Sequence, residues 1–522
     1  QTDFQTYGQV PIDWAWLWSS NHGTTGSLGN RIHFSYDTQL IVDRQYGELR
    51  YRGPNGNELV FPWIFEGEES LDPVNRLFLT AGAHSYKMED LNTGLTYLYV
   101  RSRQNRACYL LSEIRNAAGF ALTIQRNEQE QILQLLDSNQ FLVNIRYNAQ
   151  GVIQSLSTEE ERIVSYHYSA EGNLIEVIDA LNNVQKFIYD TNHLIEQLRQ
   201  SDGIKRHWRY DSYGRLVHQW TDGHLDVYWF EYDEAQQRNR KRDYYGNETE
   251  YDYNEFGLID RIKHYQGGTE RFFYNEQFQL IEQRLIDGQV IQYTYDQSGL
   301  LQTKTYSDGT AERFTYNRWG SVIQQVARNG RLTRFEYNEQ RALTQVLDNE
   351  IEVFSAQYSS KTNLIENVKS AADKASFSVE YDRFGRVSQR KSRSNNETFR
   401  WTYNAIGQCV THTKAQGVCS LEYTCTYDKK QRLVTLQQGR KMVRAYTHNT
   451  VGLVTEIVVN GQLVRLSYDS GKRVSSIQTP AKDDYTFFYN HFGELLEVKK
   501  NKRQIYFAER NQLRQIVKEV YE

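Results

Sequence analysis

The chain has 522 residues, 39% hydrophobic and 24% charged, a balance that suits a packed protein and excludes wholesale disorder. Its net charge of −4 excludes a bulk basic footprint for nucleic acid or anionic membrane, and no apolar run reaches the roughly 18 residues of a spanning helix. Four Cys exclude a disulfide framework, while 38 Tyr and 23 Phe beside 5 Pro lean towards half-buried β-surface.

The chain starts at Gln1 without a Met and reads as a fragment or a processed product. Residues 1–125 hold four of the five prolines (Pro11, Pro54, Pro62 and Pro73) and β-like segments such as IHFSYD and GELRYRG. They keep no fixed period and are expected to form a separate β-rich cap, because repeat arrays need atypical ends.

From residue 126 a pattern recurs every 21 residues, with Arg126 one period ahead of the first anchor. The anchors are Tyr147, Tyr168, Tyr189, Tyr210, Tyr232, Tyr253, Tyr274, Tyr295, Tyr316, Tyr337 and Tyr358. After a looser stretch come Tyr381, Tyr403 and Tyr427, then Tyr468 and Tyr489. Each anchor is followed by a turn of its own. Asp or Asn comes next, and Gly often three residues later, as in YDSYG, YNEFG, YNRWG, YDRFG and YNHFG. Asx bonds its own backbone and Gly accepts positive φ, so Gly214, Gly257, Gly299, Gly320, Gly385, Gly407 and Gly493 are expected turn glycines. A second turn carries Asp-Gly or Asn-Gly at Gly203, Gly288, Gly309, Gly330 and Gly461, which predicts two-residue type I′ hairpins.

Two turns per repeat leave two short strands. The position two before the anchor is aromatic at Phe187, Trp208, Phe230, Tyr251, Phe272, Tyr293, Phe314, Phe335 and Trp401. Residues two apart share a strand face, so anchor and partner form two aromatic columns on one side of the sheet. About 18 repeats give about 36 strands and a sheet roughly 170 Å wide at about 4.8 Å per strand. Open twisted sheets rarely exceed about ten strands, so the wall is expected to coil as a spiral around a hollow. A propeller pairing two repeats per blade stays open. The expected fold is all-β, with the cap at 1–125 and the repeat shell at 126–522.

The Tyr-Asp/Asn pattern at this period resembles the YD repeats of the Rhs family of polymorphic toxins, shared with teneurins and insecticidal toxin-complex B and C components. Thr2-Asp3-Phe4, Pro11, Trp14, Ser19-Ser20 and Leu28-Gly29 resemble the segment before the repeats in bacterial Rhs proteins, while Leu17 and Trp18 depart from it. The resemblance implies a cocoon enclosing a C-terminal toxin. It implies partners too: the toxin polypeptide, further shell segments, and a secretion spike protein or adaptor of a type VI machine. Production in the bacterial cytoplasm and delivery into target cells would follow. The family closes its core with an Asp-Pro-x-Gly cleavage motif. Here the only Asp-Pro is Asp72-Pro73, without the Gly, so this chain is expected to perform no self-cleavage.

Other candidate chemistry has bland readings. Cys409 and Cys425 occupy repeat positions that pack, and Cys419 offers no Cys-x-x-Cys spacing, so no metal and no cofactor is expected. His193 and His491 fall inside anchor turns, and the basic runs Arg238–Arg242 and Lys499–Arg503 read as solvated hairpin tips. No catalytic residue is assigned. Two other classes remain open: an adhesion or carbohydrate-binding module with outward aromatics, and an enzyme within the repeat core.

Overall fold

The computed structural model describes residues 1–21, 23, 25–371, 375–511 and 515–521, so His22 and Glu522 lie outside it. Among the described residues there is no helix. Forty-six strands, from Gln39–Asp43 to Ile516–Tyr521, form an antiparallel meander in which neighbours in sequence are neighbours in the sheet. The pairing does not break into four-stranded blades, so the propeller alternative falls. Hairpin turns every ten or so residues leave no length for the crossovers that parallel pairing needs.

The chain divides into two compact bodies. The first comprises Gln1–Tyr166 and Tyr293–Tyr423, the second His167–Gln292 and Thr424–Glu522.

In the first body, Thr2–Gln5, Asp13–Trp18 and Ile32–Phe34 make a small three-stranded sheet of their own. It lies on the repeats between residues 121 and 166. Trp14 is fully buried, and its indole N–H donates to Tyr166 Oη at 3.0 Å. Tyr166 in turn donates to Asp3 Oδ2 at 2.6 Å, and Phe4 stacks on Phe141. Burial pushes the Asp3 carboxyl above its usual range, against the bonds from Tyr166, Gln1 and Trp16. The strand Cys108–Asn116 pairs along its length with Leu95–Arg101 and divides its other side between two strands. Its first half pairs with Gln39–Asp43 and its second with Ala121–Arg126, so residues 39–116 already belong to the sheet that carries the repeats.

Both bodies bring together segments 244 or more residues apart in the chain. In the first, the Tyr7 N–H donates to the Ile406 carbonyl at 2.6 Å, Gln9 Nε2 to Gly385 O at 2.6 Å, and Arg76 Nη1 to Gly320 O at 3.2 Å. In the second, Lys430 meets Asp179 at 2.8 Å and His491 Nδ1 lies 3.1 Å from the His224 carbonyl. In each body, anchor turns of the later segment contact the second turns, or the N-terminal segment, of the earlier one.

Candidate functional surface

Every predicted anchor ends the first strand of its repeat and is half-buried, except Tyr232, which is followed by one more strand residue. The reason for Tyr rather than Phe is the phenol. Tyr189 donates to the Leu174 carbonyl at 2.8 Å, Tyr316 to Leu301 at 2.7 Å, Tyr337 to Val322 at 2.8 Å and Tyr489 to Val474 at 2.8 Å. Tyr210, Tyr274, Tyr358, Tyr381, Tyr403 and Tyr468 make the same bond to the strand start 14 to 16 residues earlier. Each of these anchors thereby ties its repeat to the one before. Burial holds these phenols above their usual pKa, so they stay protonated donors. Two irregular positions show the same logic. Arg126 reaches the Leu111 carbonyl at 3.2 Å with its guanidinium, and Tyr253 accepts from Asn239 at 3.1 Å instead.

The turns carry the predicted chemistry. Asp211 Oδ1 accepts the N–H groups of Tyr213 and Arg215, both at 2.9 Å, and Asn254 does the same for Phe256 and Leu258. Gly214, Gly257, Gly299, Gly320, Gly385, Gly407 and Gly493 all have φ between 73° and 90°. Where Gly is missing at this place, His193, Phe278, Arg341, Gln431 and Lys472 take φ of 61° to 65°. Four repeats add a clamp. Asp211–Arg215, Asp382–Arg386, Asp428–Arg432 and Asp469–Arg473 are ion pairs, and Arg386 and Arg473 also lie over the next anchors, Tyr403 and Tyr489.

The structure corrects three expectations. At Gly203, Gly288, Gly309 and Gly330 the preceding Asp or Asn keeps ordinary φ, so these are four-residue turns with one left-handed glycine. Only Asn460-Gly461 among those five shows the two positive φ values, 50° and 83°, of a type I′ turn. The others carry a side-chain bond at the penultimate residue, such as Asp308 Oδ1 accepting the Thr310 N–H at 2.9 Å, which selects the longer loop. Second, Arg238–Arg242 is a strand, Arg238–Asp243, not a hairpin tip. Its guanidiniums cross to neighbouring strands, Arg238 to Asp252 at 2.6 Å and Arg240 to Glu250 at 3.6 Å. The run Lys499–Arg503 does hold a tip at Asn501-Lys502, with φ of 50° and 70°. Third, an anchor was missed. His448 ends the strand Lys441–His448 at a slip in strand register like those at Tyr316 and Tyr337, followed by Asn449 and Gly452. Its place 21 residues after Tyr427 was the available signal.

The two sheet faces differ. On the column face, Ile145, Tyr166 and Phe187 are buried, whereas Trp208, Phe230, Tyr251, Phe272, Tyr293, Phe314, Phe335 and Trp401 are half-buried. On the opposite face polar side chains bond across strands: Thr402 to Thr411 at 2.6 Å, Gln389 to Glu380 at 2.7 Å, Thr426 to Thr435 at 2.6 Å. The exception is a π-stack in the second body, in which His207 stacks on Trp220 and His218 lies against both Trp220 and Trp229.

Candidate reactive groups are scattered. Cys409 and Cys425 are half-buried in repeat positions, Cys108 is buried, Cys419 is exposed, and all four are free thiols. His193 Nδ1 accepts from Asn173 Nδ2 at 2.9 Å, inside the turn network. Asp72 caps its own turn through the Val74 and Asn75 N–H groups, both at 3.0 Å. Among the described residues no three His, Cys, Asp or Glu side chains converge as a metal site.

The family model described as Teneurin YD-shell matches residues 95–218 and 372–521, together more than half of the chain. An RHS Repeat model matches residues 274–311, and a domain of unknown function matches residues 1–61. No curated protein matches. Among solved structures, TcdB2-TccC3-Cdc42 is 10% identical over 95% of this chain and 34% of that chain, with a TM-score of 0.43. TcdB2-TccC3 without its hypervariable C-terminal region is 11% identical over 91% and 30%, with a TM-score of 0.43. A Photorhabdus luminescens Tc holotoxin pore is 10% identical over 95% and 32%, with a TM-score of 0.42. The chain spans about a third of the length of these solved chains.

Proposed function

The chain belongs to the Teneurin YD-shell family, and from that premise we propose that it is wall material of a container that holds a toxic polypeptide. One observation carries the reading. The aromatic column is a single repeated feature, buried at Ile145 and Tyr166 under the N-terminal segment, yet half-open from Trp208 onward with no second layer on it among the described residues. A wall that leaves one face half-covered along ten or more repeats is suited to lining an enclosed space. In this reading the N-terminal three-stranded sheet closes the array as the cap within residues 1–125, while the strands from Gln39–Asp43 onward continue into the sheet of the shell at 126–522.

In this reading the work is mechanical. Anchor phenols and turn clamps hold successive hairpins in register, and the wall keeps its cargo away from the producing cell until delivery. No side chain is given a catalytic role. The remaining shell segments, the cargo and a secretion spike or adaptor are the partners, with export by a type VI machine in competition between bacteria as the finer expectation.

The test is native purification of the product of the intact gene, followed by denaturing mass spectrometry of the peak. Co-elution with a second polypeptide that resists added protease is the expected result. A compact chain that elutes alone, from a gene with no further coding sequence, removes the container reading.

A further inference from the structure

The anchor turns are docking knobs as well as hairpin turns. In the second body, Phe492 sits on Tyr245 with ring centroids 5.0 Å apart, and His491 on Tyr244 at 4.1 Å. Lys430 is paired with Asp179 at 2.8 Å, and Ser470 Oγ closes on Gly223. In each case an anchor turn of the later segment rests on a second turn of the earlier one. In the first body, Arg341 on an anchor turn is ion-paired with Glu89. The polarity is the same in both bodies: base on the anchor turn, acid beneath it.

Two edges of the second body lack this arrangement among the described residues. The anchor turns of its earlier segment expose Tyr213 (77%), Phe256 (62%) and Phe278 (53%), the last two in ring contact at 5.0 Å. Glu255 and Glu276 beside the two Phe are exposed, whereas Arg215 lies over the Tyr213 ring and is paired with Glu234. A cavity of about 520 Å³ lined by Tyr213, Arg215, Tyr232, Glu234, Arg238 and Arg240 opens beside them. The second turns of the later segment expose Arg440, Lys441, Lys482 and Lys502. Around Phe256 and Phe278 the polarity is therefore reversed: acid on the anchor turns, base on the second turns of the later segment. They complement each other, and each mismatches the edges already docked within the chain.

We propose that this chain associates with a second copy of itself, the knob edge formed by Tyr213, Glu255, Phe256, Glu276 and Phe278 of one copy seating the basic second-turn edge of the other. The contact continues the interface that both bodies already use internally, and the reversed charges select the second copy over a misdocked internal turn. Because the two surfaces are different, the contact is head-to-tail and extends into chains rather than closing as a two-fold dimer. The inference does not depend on the cargo reading.

Sedimentation velocity of the full chain across a wide concentration range tests it. Average mass is expected to rise with concentration at low salt and fall back as salt screens the edges. Glu255→Lys with Glu276→Lys, and separately Arg440→Glu with Lys441→Glu, each weaken association by about tenfold or more, because like charges then face each other. These side chains are exposed, so the thermal midpoint of each variant should equal that of the parent chain. Mixing the two variants pairs intact edges at one contact and charge-swapped edges at the other, so opposite charges face each other at both and association recovers towards that of the parent chain. A single unchanging species at all concentrations, or a variant mixture that does not reassociate, overturns the proposal.

Discussion

Two stretches of the first body use one repeat and reach different ends. Around Ile145 and Tyr166 the column face is covered by Trp14, Phe4 and their neighbours and becomes a dense core. Around Phe314 and Phe335 the same positions stay half-buried, and neighbouring repeats supply the contacts. The difference teaches that the hairpin array needs no second layer to hold its register. Anchor bonds and turns do that. A second layer adds burial, and only where a segment outside the period supplies it.

The covered and uncovered stretches differ most at two glycines with one conformation and different neighbours. A Cβ on Gly407 would lie 1.5 Å from the Tyr7 carbonyl oxygen, whereas one on Gly257 meets nothing within 4 Å. Gly407→Ala should therefore displace the N-terminal segment and cost about 3 kcal/mol or more, and Gly257→Ala only about 1 kcal/mol for its φ of 77°. Hydrogen exchange in Thr2–Gln5 and Asp13–Trp18 separates the two outcomes, since only the first substitution should expose those strands.

Next in size is the column itself. Ile145→Ala should cost about 3 kcal/mol in urea denaturation, as expected for a fully buried aliphatic. Phe335→Ala, half-buried, should cost about half of what a fully buried Phe loses, or roughly 2 kcal/mol. Equal values would mean that the uncovered stretch is as well packed as the covered one. Tyr337→Phe sharpens the point at about 1 kcal/mol, because it removes one hydroxyl and leaves the Val322 carbonyl without its donor. Its effect should be confined to protection of the strands Val322–Val326 and Leu332–Tyr337.

The smallest effect is electrostatic and lies in the second body. Burial, then the neighbouring Arg209, pushes the His218 pKa below its usual 6.5. The folded state thus prefers neutral His218. Its contribution is fully present above the unfolded pKa and is lost as pH falls through the lower folded value. Exchange protection of Leu216–Thr221 should drop between about pH 7 and pH 5, and His218→Gln should flatten that dependence.

Much of this was legible in the linear order of residues. Anchors Tyr189, Tyr316 and Tyr489 stand where the 21-residue period puts them, and Gly214, Gly257 and Gly493 have the positive φ that their turn demands. Such features depend on residues within one or two turns of chain, so local chemistry decides them. At Gly203 the local reading failed because two loop lengths share the Asp-Gly signal, and the longer one gains the bond from the Ile204 N–H to Asp202 Oδ1. At Arg238–Arg242 a charged run resembled a tip until cross-strand carboxylates at Asp252 and Glu250 made it a strand.

By itself, then, the sequence determined an all-β array of tyrosine-anchored hairpins, its strand faces and most of its turns. Tertiary structure alone decided which repeats gain a second layer, which anchor turns find a seat about 250 residues away, and which edges stay bare. Those outcomes depend on where distant segments come to lie, and a pattern repeated in every unit carries no information about which unit meets which.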